Sequence, residues 1–340
     1  MKLFSFERLT AVLAAILTAA GAPADIAQIV AESLADSNLK GVDSHGAIRV
    51  TMYVDQILSG YMHAAARPEI IRDTATTATV DGHSGMGIYT LGYALEVALR
   101  KAQTHHLAAV GLTGSTHTGR IGHYAEVAAA QGCFALITGG GATQHPEKHA
   151  SVAPHGGRSR LLATNPIALG SPGGAFGPVY VDASTSMTAE GKLRLYRDLN
   201  QPVPDGWILD RDGNPTNSAA DFYAGGVILP AAGHKGYGLA LMAEMLGSAL
   251  LGEAQELNWF IIVLQIEAFR TLSEFNTLGE AVLGKVKAVP PVEGVAEVLL
   301  PGEPEARMAA ERRAGGIPLP DEVWAQIVTT AARVGVTLSD

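Results

Sequence analysis

Residues 107–138 carry the pattern that most narrows the fold: an apolar strand at 107–112, a helix over about 121–130 and a second strand at 133–138. Strand, helix and strand in that order point to an α/β architecture, because such a helix must bury its apolar stripe on the sheet that the strands form. The connection after the first strand is Thr113-Gly114-Ser115-Thr116-His117-Thr118-Gly119, which lacks a Gly-x-Gly-x-x-Gly fingerprint, and Gly139-Gly140-Gly141 breaks the pattern after the second. A Rossmann site is therefore disfavoured: either no nucleotide binds, or it binds on another scaffold. The run 279–285 also fails as a phosphate loop, since Val286 stands where Ser or Thr is needed.

Periodicity and punctuation supply the remaining elements. Phe6, Leu9, Leu13, Ile16 and Leu17 recur at helical spacing up to Gly21, and a second helix opens near Pro23 and runs to about Ser37. Glu7 and Arg8 directly precede the apolar run 9–20, which favours an amphipathic helix over a secretion signal. No stretch reaches the roughly eighteen apolar residues of a membrane span. Further expectations are a helix ending at Gly60, paired strands within 67–81, and a helix at 87–103. Short strands at 161–163, 167–169 and 179–182 follow in a loop-rich stretch, then a helix at 237–251, a strand at 260–264 and a last helix at 321–334.

With 47% hydrophobic and 17% charged residues, the 340-residue chain can form one large domain or two to three interlocked ones. Its net charge is −9 and its basic residues never form a block, which argues against a nucleic-acid surface. No membrane partner is expected. Cys133 is the one cysteine, so no intrachain disulfide can form, and within Gly132-Cys133-Phe134-Ala135-Leu136-Ile137 it reads as a buried strand residue.

The densest chemistry is Asp43-Ser44-His45-Gly46-Ala47-Ile48-Arg49 at a helix entrance. Arg49 can grip both oxygens of a carboxylate, and His45 can move a proton near neutral pH. The alternative is a helix cap formed by Asp43 or Ser44, with His45 merely interfacial. Ser115-Thr116-His117 with Arg120 forms a second polar loop, whose histidine could replace His45 as proton donor or bind the other end of a substrate. His145-Pro146-Glu147-Lys148-His149 lacks the His-Glu-x-x-His order of a zinc helix, so no metal is expected there, although Lys148 could contact an acidic substrate. Candidates for nucleotide contacts are Thr164-Asn165-Pro166, the 181–187 stretch with Asp182, Ser184 and Ser186, and His234-Lys235-Gly236 at a helix start.

Taken in order, Gly41-Val42-Asp43-Ser44-His45-Gly46, residues 115–119, Thr164-Asn165-Pro166, residues 181–187, His234-Lys235-Gly236-Tyr237-Gly238-Leu239 and Pro301-Gly302-Glu303 resemble the malate/L-lactate dehydrogenase family. The resemblance spans nearly the full chain. Residues His117 to Gly122 and 232–252 are most similar to its bacterial hydroxycarboxylate dehydrogenase B subgroup. It implies the malate/L-lactate (sulfolactate) dehydrogenase-like α/β fold, with a mostly antiparallel sheet in a non-Rossmann cofactor domain. Residues 1–70 would form a helical region and the first part of a substrate domain, 71–110 a linking part, 111–255 the NAD(P)-binding domain, and 256–340 a return to the first domain.

The resemblance further implies a cytoplasmic homodimer that uses NAD or NADP to interconvert small 2-oxo and 2-hydroxy acids. His45 would be the proton donor or acceptor and Arg49 the carboxylate clamp, with Ser44 and His117 beside a small anionic substrate. The cofactor would meet Thr164, Asn165, Pro166, Asp182, Ser184, Ser186, His234 and Lys235, with Gly302 and Glu303 closing over it. Reduction of cyclic imines bearing a 2-carboxylate poses the same geometric problem and is the alternative activity; a non-catalytic small-molecule binding protein is the other. Two departures from the family bear on the substrate: the 252–260 span is shorter than in many relatives, and the 142–150 loop is richer in histidine.

Overall fold

The computed structural model describes residues 1–338. Seven strands form one sheet in the order Glu69–Asp73, Thr77–Gly85, Leu107–Ser115, Asn258–Gln265, Cys133–Gly140, Ile167–Ser171 and Val179–Ala183. Thr77–Gly85 and Leu107–Ser115 pair in parallel, and every other neighbouring pair in this sheet is antiparallel. A parallel pair needs a crossover, which the helix Gly87–His105 provides before His106 ends it in the left-handed region at φ 67°. This helix packs on Thr77–Gly85, Leu107–Ser115 and Asn258–Gln265, whereas Gly122–Ala130 packs on Cys133–Gly140, Ile167–Ser171 and Val179–Ala183. The sheet draws on residues 69–115, 133–183 and 258–265, so no single stretch of sequence builds it.

A helical layer forms the second core. Ser5 caps the helix Phe6–Ala19 by accepting the Arg8 N–H at 3.1 Å, and Leu9, Leu13, Ile16 and Leu17 are buried on one side, as their spacing requires. Both chain ends join this layer, because Lys2–Phe4 pairs with Ile317–Leu319 and Phe4 packs on Trp324 with ring centroids 4.6 Å apart. The helix Asp321–Arg333 then braces Arg49–Leu58 through Thr51 to Thr330 at 2.8 Å and Arg333 to Asp55 at 2.7 Å. A third, small body is the three-stranded sheet of Ile208–Leu209, Pro215–Thr216 and Val227–Ile228, with the helices Glu190–Asp198 and Ala219–Tyr223.

Two expectations need correction. Residues 161–163 are not a strand, since Leu162 makes an isolated bridge to Val152 with no ladder to continue it. The helix expected at 237–251 begins earlier, as His234–Glu244, and ends in a π-helical turn, Met245–Leu250. That wide turn falls where the helix presses on the glycine run: a Cβ on Gly140 would stand 2.1 Å from the Ala243 carbonyl, and one on Gly247 2.3 Å from Gly140. The helices Leu272–Lys287 and Glu303–Gly315 were not anticipated. No helix among the described residues is long and apolar enough to cross a membrane.

Candidate active site

The Asp43–Arg49 segment is anchored by Asn38 at the end of the helix Ala24–Leu39. The Asn38 Oδ1 accepts the Ala47 N–H at 2.7 Å, and its Nδ2 donates to Asp43 at 2.6 Å. Arg312 donates to both Asp43 oxygens at 2.8 and 3.3 Å and to the Asn38 carbonyl. Asp43 is therefore a brace, and glycine is required at 46 because a Cβ there would lie 2.2 Å from Asn38 Oδ1. The braced turn brings Ser44, His45 and Arg49 together: Ser44 Oγ is 3.0 Å from His45 Nδ1, and Arg49 Nε donates to the Ser44 carbonyl at 2.6 Å.

His117, on the loop after Leu107–Ser115, joins them. Its ring stacks on that of His45 with centroids 5.6 Å apart and planes 20° from parallel. The Gly119 N–H points at His117 Nδ1 at 3.3 Å, and a backbone N–H can only donate, so Nδ1 is the acceptor. The Tyr53 hydroxyl, 2.8 Å from the same atom, donates as well. Neutral His117 consequently carries its proton on Nε2, a donor that no hydrogen bond among the described residues uses.

Burial, then Arg49 and Arg120, push the His45 pKa down to about 4; burial, Arg49 and His45 hold that of His117 well below the usual histidine value. Both rings are thus neutral near pH 7. The unfolded chain binds a proton at His45 below its ordinary pKa of 6.5, while the folded protein refuses it until about 4. Stability from this residue is full above the unfolded value and drops as pH falls across that window, by about 3 kcal/mol. Urea unfolding followed from neutral to acid pH should show this slope, and a His45→Ala variant should lose part of it.

Arg120 stands behind the cluster. It is 3% exposed and bonded to Asp36 at 3.1 Å, Glu126 at 3.3 Å and the Tyr180 hydroxyl at 3.3 Å, with Lys40 bridging the same two carboxylates. Sequence reasoning missed Tyr53, Gln56 and Glu256. The first two lie one and two turns beyond Arg49 on the same helix face, a readable spacing. Glu256 comes from the 252–257 segment and accepts from Gln56 Nε2 at 3.3 Å; burial pushes its carboxyl up to about 7. Lys148 is exposed on the one-turn helix Pro146–His149, and no contact joins it to His45 or Arg49 among the described residues.

The residues expected to meet a cofactor fall into two groups joined by the strand Val179–Ala183. In the first, the Thr185 N–H donates to the Thr164 carbonyl at 2.9 Å, the Ala231 N–H to the Thr185 carbonyl at 2.9 Å, and Ser186 bridges to Pro230. The Pro166 carbonyl accepts the Gly139 N–H at 3.2 Å. Ser184 Oγ donates to the Ser186 carbonyl at 3.0 Å and Ser186 Oγ to that of Thr188 at 2.7 Å. His234 and Lys235 are exposed in the first turn of their helix, next to a cavity of about 580 Å³ lined by His155, Gly157, Arg158, Pro230 and Gly233. In the second group, Asp182 accepts the Gly122 N–H at 2.7 Å, and Gly302, at φ 88°, sits so close to Tyr180 that a Cβ on it would stand 2.8 Å from the ring. The Glu303 carboxylate is taken by Lys287, Arg307 and the Leu300 N–H.

Asn165 is fully buried; its Nδ2 donates to Glu244 at 2.7 Å and to the Gly139 carbonyl at 3.2 Å, and its Oδ1 has no partner among the described residues. Glu244, 3% exposed, also collects the N–H groups of Gly141, Ala142 and Thr143 and the hydroxyls of Thr143 and Ser248. Burial opposes its charge, yet Asn165, Thr143 and Ser248 hold its carboxyl below the usual range. Glu244→Gln presents an NH2 to these donors and should lower unfolding stability by about 2–4 kcal/mol; an unchanged urea midpoint would contradict this role. No group of three or more His, Cys, Asp or Glu side chains is placed to hold a metal ion among the described residues.

The sequence profile of the malate/L-lactate dehydrogenase family matches residues 4–328. The chain belongs to the malate/L-lactate dehydrogenase family. Among its relatives, malate dehydrogenase of Pyrococcus horikoshii is 32% identical over 97% of this chain and 95% of its own length. Hydroxycarboxylate dehydrogenase B of Escherichia coli is 33% identical over 98% and 94%. The solved structure of delta1-piperideine-2-carboxylate reductase from Pseudomonas syringae pvar. tomato superposes with a TM-score of 0.86 at 26% identity, covering 97% of this chain and 100% of that one. Membership in the malate/L-lactate dehydrogenase family makes the protein an oxidoreductase, and the mostly antiparallel sheet is the family's fold.

Proposed function

We propose that the protein interconverts a small 2-oxo acid and the corresponding 2-hydroxy acid with NAD or NADP. The supporting observation is the convergence of three complementary groups: the Arg49 cation, the neutral His45 ring and the Nε2–H donor of His117. In the oxidative direction Arg49 grips the carboxylate and fixes the rotation of C2. His117 donates to a substrate oxygen, and His45 takes the hydroxyl proton. In reduction His45 returns that proton to the carbonyl oxygen.

The residues present fit a nicotinamide dinucleotide. The unpartnered Asn165 Oδ1 asks for a donor, and the cavity beside Lys235 combines glycine backbone, the Arg158 guanidinium and a helix start, a combination suited to phosphate. Asp182 and the Gly302-Glu303 turn would flank the cofactor through the Val179–Ala183 strand. When bound, the nicotinamide supplies or accepts the hydride at C2. The assignment of 111–255 as the cofactor domain and a cytoplasmic homodimer belong to the same reading. Leu239, Met242 and Met245, each more than half exposed along one helix, support a second copy as the partner.

Reduction of cyclic imines carrying a 2-carboxylate is the second reading, favoured by the likeness to the Pseudomonas reductase. Following the absorbance of reduced nicotinamide with both cofactors, against 2-oxo acids and cyclic imino acids, tests both. Turnover of 2-oxo acids is expected; turnover confined to imines would transfer the assignment, and turnover of neither would refute it.

A further inference from the structure

We propose that Arg120 and Lys40, with Asp36 and Glu126, are positioning residues: their crossed ion bridges lock the His117 loop to the helix that anchors the His45 turn, and so set the spacing of the two imidazoles. This rests on the function proposed above and deepens it.

The two histidines come from different layers. His45 lies in the turn that Asn38 anchors at the end of the helix Ala24–Leu39, whereas His117 lies on the loop that leaves the strand Leu107–Ser115. The last turns of that same helix face the loop. Ser33, Asp36 and Lys40 follow one another at intervals of three and four residues and so share one side. A Cβ on Gly119, at φ 71°, would stand 3.0 Å from Ile88 and 3.7 Å from the Ser33 hydroxyl, so the loop backbone lies directly against this side.

Two bridges fasten it there. Arg120, three residues beyond His117, donates from Nη2 to Asp36 at 3.1 Å, and Lys40 reaches across to Glu126, on the helix Gly122–Ala130, at 2.6 Å. Each cation also meets the other carboxylate, Arg120 with Glu126 at 3.3 Å and Lys40 with Asp36 at 3.2 Å, which closes the four groups into a square. The Arg120 Nη1 donates to the Tyr180 hydroxyl at 3.3 Å, tying the square to the strand Val179–Ala183. Burying these charges costs desolvation, and it fixes the register of the two layers, because each contact is lost on a slide of about 1 Å. The path between the imidazoles is thus continuous. It runs from the His45 turn through the Ala47 N–H to Asn38, along the helix to Asp36, across to Arg120, and back through the Gly119 N–H to His117 Nδ1. Tyr53 holds the His117 ring itself, and the square holds the backbone beneath it.

The charges around His45 give the idea a test with a sign. Burial, then Arg49 and Arg120, push its pKa down to about 4; His123, with Nδ1 3.8 Å from Asp36, stands against the square. Neutralising Asp36 or Glu126 leaves Arg120 less compensated, which by charge alone pushes the His45 pKa further down. Loosening the loop admits water to the imidazole and pushes the pKa up toward 6.5.

The experiment reads histidine-labelled protein by NMR in the wild type, Asp36→Asn and Glu126→Gln, two variants guarding against the failure of one to fold. In the wild type, which carries no folding risk, ring protons of His45 and His117 should show a mutual NOE, and its absence overturns the inference. Each variant should weaken that NOE and raise the His45 pKa by about one pH unit. Its kcat, with pyruvate as the probe, should fall by about tenfold, while the Kd of reduced nicotinamide cofactor, read by fluorescence, stays within about twofold. Loss of a merely structural bridge would lower the urea midpoint and leave the NOE intact. A His45 pKa that falls or stays in place, with the NOE intact, overturns the positioning role and leaves the dehydrogenase reading standing. The NMR readings need no turnover, so a wild type that reduces no 2-oxo acid overturns that reading while they still decide this one.

Discussion

Turnover of a His45→Gln variant is expected to fall by about a hundred- to ten-thousand-fold, with cofactor affinity unchanged. Glutamine keeps a hydrogen-bonding amide of similar reach but can neither take nor return a proton, so the loss isolates proton transfer from positioning. His117→Gln is the matched control. His117 Nδ1 is an acceptor for the Gly119 N–H and the Tyr53 hydroxyl, which leaves its Nε2–H as a donor. A glutamine can preserve an N–H donor, so the His117 variant should lose much less kcat than the His45 variant. Pre-steady-state and steady-state rates in both directions check this. The reverse order of effects would exchange the roles of the two histidines.

For Arg49→Lys, kcat/KM on carboxylate substrates should drop by about one to two orders of magnitude. Two functions are lost together. A lysine cannot form the two parallel bonds that fix the carboxylate plane, and it lacks the Nε that donates to the Ser44 carbonyl at 2.6 Å and holds the His45 turn in place. Comparing a 2-oxo acid with its methyl ester separates these contributions. The ester has no anion to grip, so the part of the loss that persists with it measures the displaced His45. Equal catalytic efficiency of the two proteins on the acid would remove Arg49 from its role.

The parts of this site that could be read from sequence are those carried by local spacing. Ser44, His45 and Arg49 are close because a single braced turn holds them, and the Ser115 to Arg120 loop follows a strand whose apolar run is plain. Their meeting was not readable, because it depends on Tyr53 reaching His117 across the gap between two layers. Glu256 gave no sign at all, since its neighbourhood is created by a clasp to Tyr61 far away in the chain. The same limit applied to the sheet: Asn258–Gln265 is a clear strand, but its insertion between Leu107–Ser115 and Cys133–Gly140 follows from tertiary pairing, not from order in the sequence. The helix Leu272–Lys287 could have been anticipated, because Thr271 and Glu274 form a capping box with both reciprocal bonds. Its apolar residues give a weaker sign, none of them being fully buried in a core.

The most direct measurement is the fate of the hydride. The purified protein is given a 2-oxo acid and reduced nicotinamide cofactor deuterated on the transferring face, and the product is analysed by NMR. Deuterium on C2 of a single enantiomer of the 2-hydroxy acid is the expected result. A 2-hydroxy acid whose C2 carries hydrogen from solvent, or no reduction at C2 with either cofactor, would contradict the chemistry assigned to His45, Arg49 and His117.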